Sequence, residues 1–340
     1  MNLQAQRGLL AFILLAASLL VAQEPGRCLD RTILANVLDQ RTDVVRNLPK
    51  TSFRLRVGGR RTEILEADYQ AAPHRIVLLL DTSGSMRGPI SNKKWTIART
   101  AAEEFVKMTP SEIPIALLTF DHKVDRKFGF ALDRSVMMDW LKQTSGRPSN
   151  VPRGATSLWD AILAASEELR PSQPGDVIFA ITDAVNNAGR ASRTDAEKAL
   201  LQAGVRFLVF LLEERTWASD EAGHTITALS SEKDDAVALS KNTGGFVFSI
   251  LARPYTVSEP LFDNFEFNES IHNSIRAHMQ AANVLMSESY VLRFTLPREN
   301  SKLEDLSLEI VDEKGKRRKD LTVALPHQLS SCERNQLGRQ

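Results

Sequence analysis

Apolar residues follow two rhythms along this chain. Between Arg75 and Ile250, short and largely apolar runs at 76–80, 113–120, 177–181, 205–212 and 246–250 alternate with segments whose apolar positions recur three and four residues apart. The runs read as strands buried on both faces and the spaced segments as amphipathic helices. Trp95, Ala98, Ala101, Ala102, Phe105 and Met108 mark one helix. A second spans 133–143 with Asp133 as N-cap, and Leu158, Ala161, Ile162, Ala165 and Leu169 mark a third that Pro171 stops. Helices at 194–203, ended by Gly204, and at 234–241 follow, while Val124, Arg126 and Phe128 read as a short edge strand. Strands alternating with helices of this length predict an α/β fold, a doubly wound and mainly parallel sheet with helices on both faces.

On either side the rhythm changes to one-for-one alternation. A strand at 32–38 and the turn-like stretch 39–43 come first. Phe53-Arg54-Leu55-Arg56-Val57 then reads as a half-buried strand, turned by Gly58-Gly59 into a return at 62–65. Past the core, Phe265, Ile271, Ile275, Met279 and Ala282 give one helix face. Strands are expected at 290–296, 306–311 and 321–325, with Asp312-Glu313-Lys314-Gly315 as a turn. The basic run 314–319 is then a solvated hairpin tip whose Lys and Arg protect an edge. Isolated hairpins are marginal in water, so the opening strands within 32–66 and the closing strands are expected to pair into one small flanking β domain. The boundaries expected are 1–22, 23–73, 74–251 and 252–340. The polar stretch 213–229 reads as an irregular loop at the carboxyl end of a strand, either shaping a binding face or merely covering surface.

Composition narrows the compartment and the partners. Arg7 followed by the apolar stretch 8–22, closing on Leu20-Val21-Ala22, reads as a signal peptide cut after Ala22. The mature chain is therefore expected to be exported, periplasmic or secreted, and it has no later apolar stretch long enough to cross a bilayer. With 43 Lys and Arg against 42 Asp and Glu, it lacks the basic excess of a nucleic-acid binder. Its 2 cysteines, Cys28 and Cys332, stand near the two ends of the mature chain. In an oxidising compartment they are expected to form a disulfide, closing a loop of roughly 300 residues for about 5 kcal/mol on the chain-entropy model.

The chemistry lies at the ends of three strands. Asp81-Thr82-Ser83-Gly84-Ser85-Met86 follows the run 76–80, Gly154-Ala155-Thr156-Ser157-Leu158 opens a helix, and Asp183 follows the run 177–181. In an open α/β sheet such loops converge on one crevice. Hydroxyls at Ser83 and Ser85 stand two residues apart on one turn, Thr156 adds a third, and Asp81 and Asp183 bring charge. That oxygen set suits a small hard divalent cation that keeps some water. Asp81-x-Ser83-x-Ser85 with the distant Thr156 and Asp183 resembles the metal-ion-dependent adhesion site of von Willebrand factor type A domains, and the order of elements agrees over 74–251. The flanking strands resemble the exported bacterial VWFA-related proteins common in Acidobacteria.

The resemblance implies direct coordination by Ser83, Ser85 and often Thr156. It implies Mg²⁺ as the ion, with Mn²⁺ or Ca²⁺ as substitutes. Held by few direct carboxylates, such an ion accepts an Asp or Glu carboxylate from a protein or surface partner, which makes the site a binding device and not a catalyst. Two alternatives stand beside this reading. One is a metal-free structural or interaction module in which the same residues only cap helices and turns. The other is a hydrolase or phosphotransferase using the same carboxylates. One position departs from the family: Ala184 stands after Asp183 where glycine is usual, and Ala accepts a positive φ poorly, which bears on the contribution of Asp183. Asn186 and Asn187 lie close enough to add polar contacts, and Asp160 reads as a first-turn acid favoured by the helix dipole. The 6 histidines show no zinc spacing. There is no P-loop, dinucleotide fingerprint or nucleophile elbow.

Overall fold

The computed structural model describes residues 29–331 apart from 71–74, 88–91, 132, 144–154, 215, 220–224, 229–230, 254–268, 299 and 301. The chain begins with strands β1 (Asp30–Leu38), β2 (Phe53–Val57), β3 (Arg60–Thr62) and β4 (Ile64–Gln70). The core follows with β5 (Ile76–Asp81), α1 (Gly84–Arg87), α2 (Asn92–Met108), β6 (Ile115–Phe120), β7 (Val124–Ala131), α3 (Ser135–Gln143) and α4 (Leu158–Glu168). It continues through β8 (Val177–Thr182), α5 (Arg193–Ala203), β9 (Arg206–Glu214), β10 (Thr216–Ser219), β11 (Thr225–Ala228), α6 (Ser231–Asn242) and β12 (Val247–Arg253). Helix α7 (Glu269–Ser287) leads into β13 (Ser289–Thr295), β14 (Glu304–Ile310), β15 (Thr322–Ala324) and β16 (Gln328–Leu329).

Six strands form the central sheet in the order β12-β9-β8-β5-β6-β7, parallel except for the edge strand β7. The period-2 alternation of a strand sorts β5 between two layers. Ile76, Leu78 and Leu80 pack with Phe105 of α2, Met137 of α3 and Met279 of α7. Val77 and Leu79 pack on the opposite face with Ile162 of α4, Leu200 of α5 and Leu239 of α6. Both faces are covered, which is why every residue of β5 is buried and why the strand reads as an unbroken apolar run. From β5 the chain moves outward to β6 and β7, then returns to β8 on the other side and proceeds to β9 and β12. The direction reverses between β5 and β8, so the crevice of this doubly wound sheet opens at their carboxyl ends.

Local signals agree with these boundaries. Ser192 and Asp195 close a reciprocal capping box at the start of α5, and Gly204 ends it with φ 65°. Asp133 accepts the Ser135 N–H at 3.0 Å before α3. At the amino ends of β5 and β8, Arg75 meets the buried Asp176 with two nitrogens, Nε to Oδ1 at 3.2 Å and Nη2 to Oδ2 at 2.6 Å.

The outer strands make two antiparallel sheets, β15-β1-β13-β4 and β16-β14-β2-β3, around a shared core that includes Leu55, Tyr290, Leu292 and Phe294. Opening strands pair with closing ones in both sheets: β1 with β13 and β15, β4 with β13, and β2 with β14. Two details differ from the sequence reading. The return at 62–65 is split, with β3 closing a short hairpin on β2 and β4 crossing to the other sheet. The strands at 306–311 and 321–325 do not form a hairpin, because β14 pairs with β2 and β16 while β15 pairs with β1. The polar stretch 213–229 is also not irregular throughout: β10 and β11 pair antiparallel within it.

Arg206 of β9 joins the two units. It is fully buried, donates to Asn36 Oδ1 of β1 at 3.0 Å and to the Met286 carbonyl at the end of α7 at 2.9 Å, and burial pushes it down to about 10. Asn36 Nδ2 in turn donates to the carbonyls of Leu285 and Glu288.

Candidate metal centre

The carboxyl ends of β5, β6 and β8 hold the three predicted loops side by side. Thr82 donates through N and Oγ1 to the Phe120 carbonyl at 2.8 and 3.0 Å, tying the first loop to β6. Ser157 donates through N and Oγ to the Asp121 carbonyl, both at 2.8 Å, tying the second loop to the same strand end. Thr156 is bound to the third loop from both sides. Its N–H donates to Asn187 Oδ1 at 2.7 Å, and its carbonyl accepts from the N–H groups of Asn187 and Ala188 at 3.0 Å each.

Asp81, at the last position of β5, is wholly buried. Its Oδ1 accepts the Ser83 N–H at 2.9 Å and its Oδ2 accepts the Thr182 hydroxyl at 2.6 Å. Both oxygens are therefore fixed by neighbours. The Ser83 and Ser85 hydroxyls stand 3.0 Å apart, where α1 begins, with Ser83 buried and Ser85 half-buried. Asp183 is buried just past β8, and its Oδ1 lies 3.4 Å from the Val185 N–H. Burial first, and then the Asp183 carboxylate, push Asp81 up to about 7, against hydrogen bonds from Thr182 and Ser83 that pull it down.

Ala184 does adopt the left-handed conformation, with φ 61°. Its N–H donates to the Thr182 hydroxyl at 2.9 Å, and its methyl is buried in the layer that holds α4 and α5. The turn is kept despite the missing glycine, and Asp183 stands beside Asp81. Asp160 lies in the first turn of α4 and does more than face the helix dipole. It accepts the N–H groups of Arg190 and Ala191 at 3.0 and 3.3 Å and fixes the far end of the third loop. Gly189, with φ 94°, lies against that carboxylate so closely that any Cβ would collide with it.

One functional group escaped the sequence reading. Lys94, in the first turn of α2, is buried and donates through Nζ to Asp183 Oδ2 at 2.8 Å. Two adjacent lysines at a helix start look like a solvated end, and only the fold shows that the second one turns inward. Gly154, named with the second loop, lies outside the described residues, as do Cys28, Cys332 and the segment 1–22.

The donor chemistry fits a hard divalent ion. A buried carboxylate held near neutrality by burial and by a second carboxylate favours added positive charge. Among the described residues no cluster of three or more His, Cys, Asp or Glu forms a ready metal cage.

Residues 76–186 match the family model of the von Willebrand factor type A domain. No curated protein matches the sequence. Among solved structures, an aerotolerance-related membrane protein from Bacteroides fragilis is similar at 17% identity and TM-score 0.45, over 62% of this chain and 98% of that one. A von Willebrand factor type A protein from Catenulispora acidiphila is similar at 11% identity and TM-score 0.44, over 88% and 74%. Proximal thread matrix protein 1 of the mussel byssus, with zinc in its MIDAS motif, is similar at 14% identity and TM-score 0.43, over 67% and 49%. At these identities and scores the three likenesses carry nothing about function.

Proposed function

We propose that this chain is an exported, non-enzymatic binding protein whose crevice takes a divalent cation, Mg²⁺ by preference, and through it a carboxylate of a protein or surface partner. The observation that carries the reading is the division of labour among the oxygens. Both oxygens of Asp81 are engaged by Ser83 and Thr182, so that carboxylate supplies charge from behind. The paired hydroxyls of Ser83 and Ser85 are then the oxygens offered to the ion. An ion ligated mainly by neutral oxygens keeps its affinity for an outside carboxylate. When bound, the ion supplies that electrophilic attachment point. The protein's own residues position it, satisfy the backbone around it and hold the second and third loops together through Thr156, Asn187 and Asp160.

Export is supported by the sequence of residues 1–22. Among the described residues no helix is long and apolar enough to cross a membrane. A Cys28–Cys332 disulfide is proposed with it, supported by the chain beside each cysteine: Arg31 Nη2 donates to the Ser330 carbonyl at 3.1 Å. Peptide mapping without reductant that finds both thiols free removes the disulfide.

The test of the metal is titration of the purified protein with Mg²⁺ and Mn²⁺, read by calorimetry and thermal unfolding. Saturable binding that raises the unfolding temperature, and that Ser85→Ala weakens at least tenfold, is expected. A second reading, a metal-free interaction module, has one observation in its favour: Lys94 already places a positive charge on Asp183. Identical melting with and without either ion, in both the parent and Ser83→Ala, selects that reading instead.

A further inference from the structure

Lysine is rarely buried unless it is paired, and the Lys94 side chain is only 7% exposed, against 2% for Asp183. The pair lies in the same crevice as Asp81, Ser83 and Ser85. Asp183 Oδ1 faces the Val185 N–H, while Oδ2 carries the ammonium. Each Asp81 oxygen already accepts one hydrogen bond, from the Ser83 N–H and from the Thr182 hydroxyl. A cation drawn to the Asp183 carboxylate thus meets one that already carries the Lys94 ammonium on Oδ2.

We propose that Lys94 is a resident counter-cation that competes with the divalent ion for Asp183, so that metal enters the crevice only as the ammonium withdraws. This deepens, and rests on, the metal-binding reading above. Two physical arguments lead to it. A dipositive ion and an ammonium beside one carboxylate repel each other in a buried site. Their binding is therefore anticooperative, and by linkage the penalty is reciprocal: Lys94 weakens the metal by the factor by which the metal weakens the Lys94–Asp183 pair. The lysine stem is flexible and carries a compact point charge, so it is able to leave the carboxylate without unfolding α2. Without metal, Lys94 offsets the charge of one of two buried carboxylates and keeps the loops assembled. With metal, that duty passes to the ion. The device sets a threshold: the crevice fills only where divalent ions are abundant, and the apo form persists intact below that concentration.

The experiment compares Mn²⁺ affinity of the full chain and its Lys94→Met variant by calorimetry, with Ser85→Ala as a control for the site. Lys94→Met is expected to bind at least tenfold more tightly and to lose unfolding temperature when metal is removed. Equal affinity in parent and Lys94→Met, with binding lost in Ser85→Ala, overturns the competition and leaves the metal site standing. Absence of binding in both parent and Lys94→Met overturns the metal reading and the competition together. Since the variant leaves Asp183 without its ammonium and risks misfolding, a second measurement uses the parent alone. Reductive dimethylation followed by mass spectrometry reads the accessibility of each lysine. Labelling of Lys94 is expected to rise at least fivefold on saturation with Mn²⁺ while other lysines stay constant. An unchanged Lys94 rate in a protein that binds Mn²⁺ refutes the displacement.

Discussion

Strands β5 and β8 carry a buried aspartate–cation contact at each end, and the two contacts are built differently. At the amino end, Asp176 receives both Nε and Nη2 of Arg75 and the Gln173 N–H, while Arg75 also reaches the carbonyls of Leu169 and Pro171. Every strong partner is taken, and one positive charge answers one negative charge. At the carboxyl end, Lys94 pairs with Asp183 alone of the two buried carboxylates, and Asp81, which has no ion pair among the described residues, is pushed up to about 7. The first arrangement is a finished staple. Among the described residues the second has two acids to one ammonium, an arrangement that an ion can complete. An excess of buried charge of one sign, rather than burial as such, separates a binding crevice from a structural pair.

The largest effect expected from breaking this contrast is at the staple. Asp176→Ala leaves Arg75 without its carboxylate and should cost about 3 kcal/mol of stability, measured by urea unfolding. Folded protein should retain its Mn²⁺ affinity, because the change lies at the opposite end of the sheet.

At the crevice end, the next effect is one of pH. In the metal-free folded protein Asp81 holds its proton up to about pH 7, whereas in the unfolded chain it releases it near pH 4. The folded state binds more protons between these values, so stability falls as pH rises from about 4 to about 7 and is level above that. Asp81→Asn should remove this decline, and saturating Mg²⁺ should flatten it. Denaturation midpoints taken across that range that do not differ between parent and Asp81→Asn refute the assignment.

Smaller still is Ser85→Ala, which removes one half-buried hydroxyl contact and should change unfolding free energy by less than about 1 kcal/mol. Ala184→Gly is expected to have the least effect. Relief of a left-handed alanine, worth about 1 kcal/mol, is offset by the added freedom of an unfolded glycine and by the loss of a buried methyl. A shift beyond about 1 kcal/mol in either direction, read by the same unfolding, shows that one of these contributions has been misjudged.

Much of the core was legible in the sequence because its signals are local. Buried parallel strands must be apolar on both faces, so runs such as 76–80 and 177–181 announce β5 and β8. Gly204 marks the end of α5. Less legible were features that depend on partner choice. The return at 62–65 divides between two sheets because Leu55 and Val57 find Thr62 and Arg60 opposite, while Ile64 finds Phe294. Alternation in β14 and β15 showed strands but not which neighbours they would take. Arg206, in a run otherwise apolar, gave no hint that it would be buried whole against Asn36 and the end of α7.

By itself the sequence determined the class of fold, the order of its elements and the oxygen-bearing residues at the strand ends, because periodicity and turn chemistry act over a few residues. Only the tertiary structure decided which charges meet. It brought Lys94 onto Asp183, gave Asp160 to the backbone of the third loop and kept Ala184 in a left-handed turn. Those outcomes depend on distances across segments far apart in the chain and on the cost of burying charge, which no local pattern records.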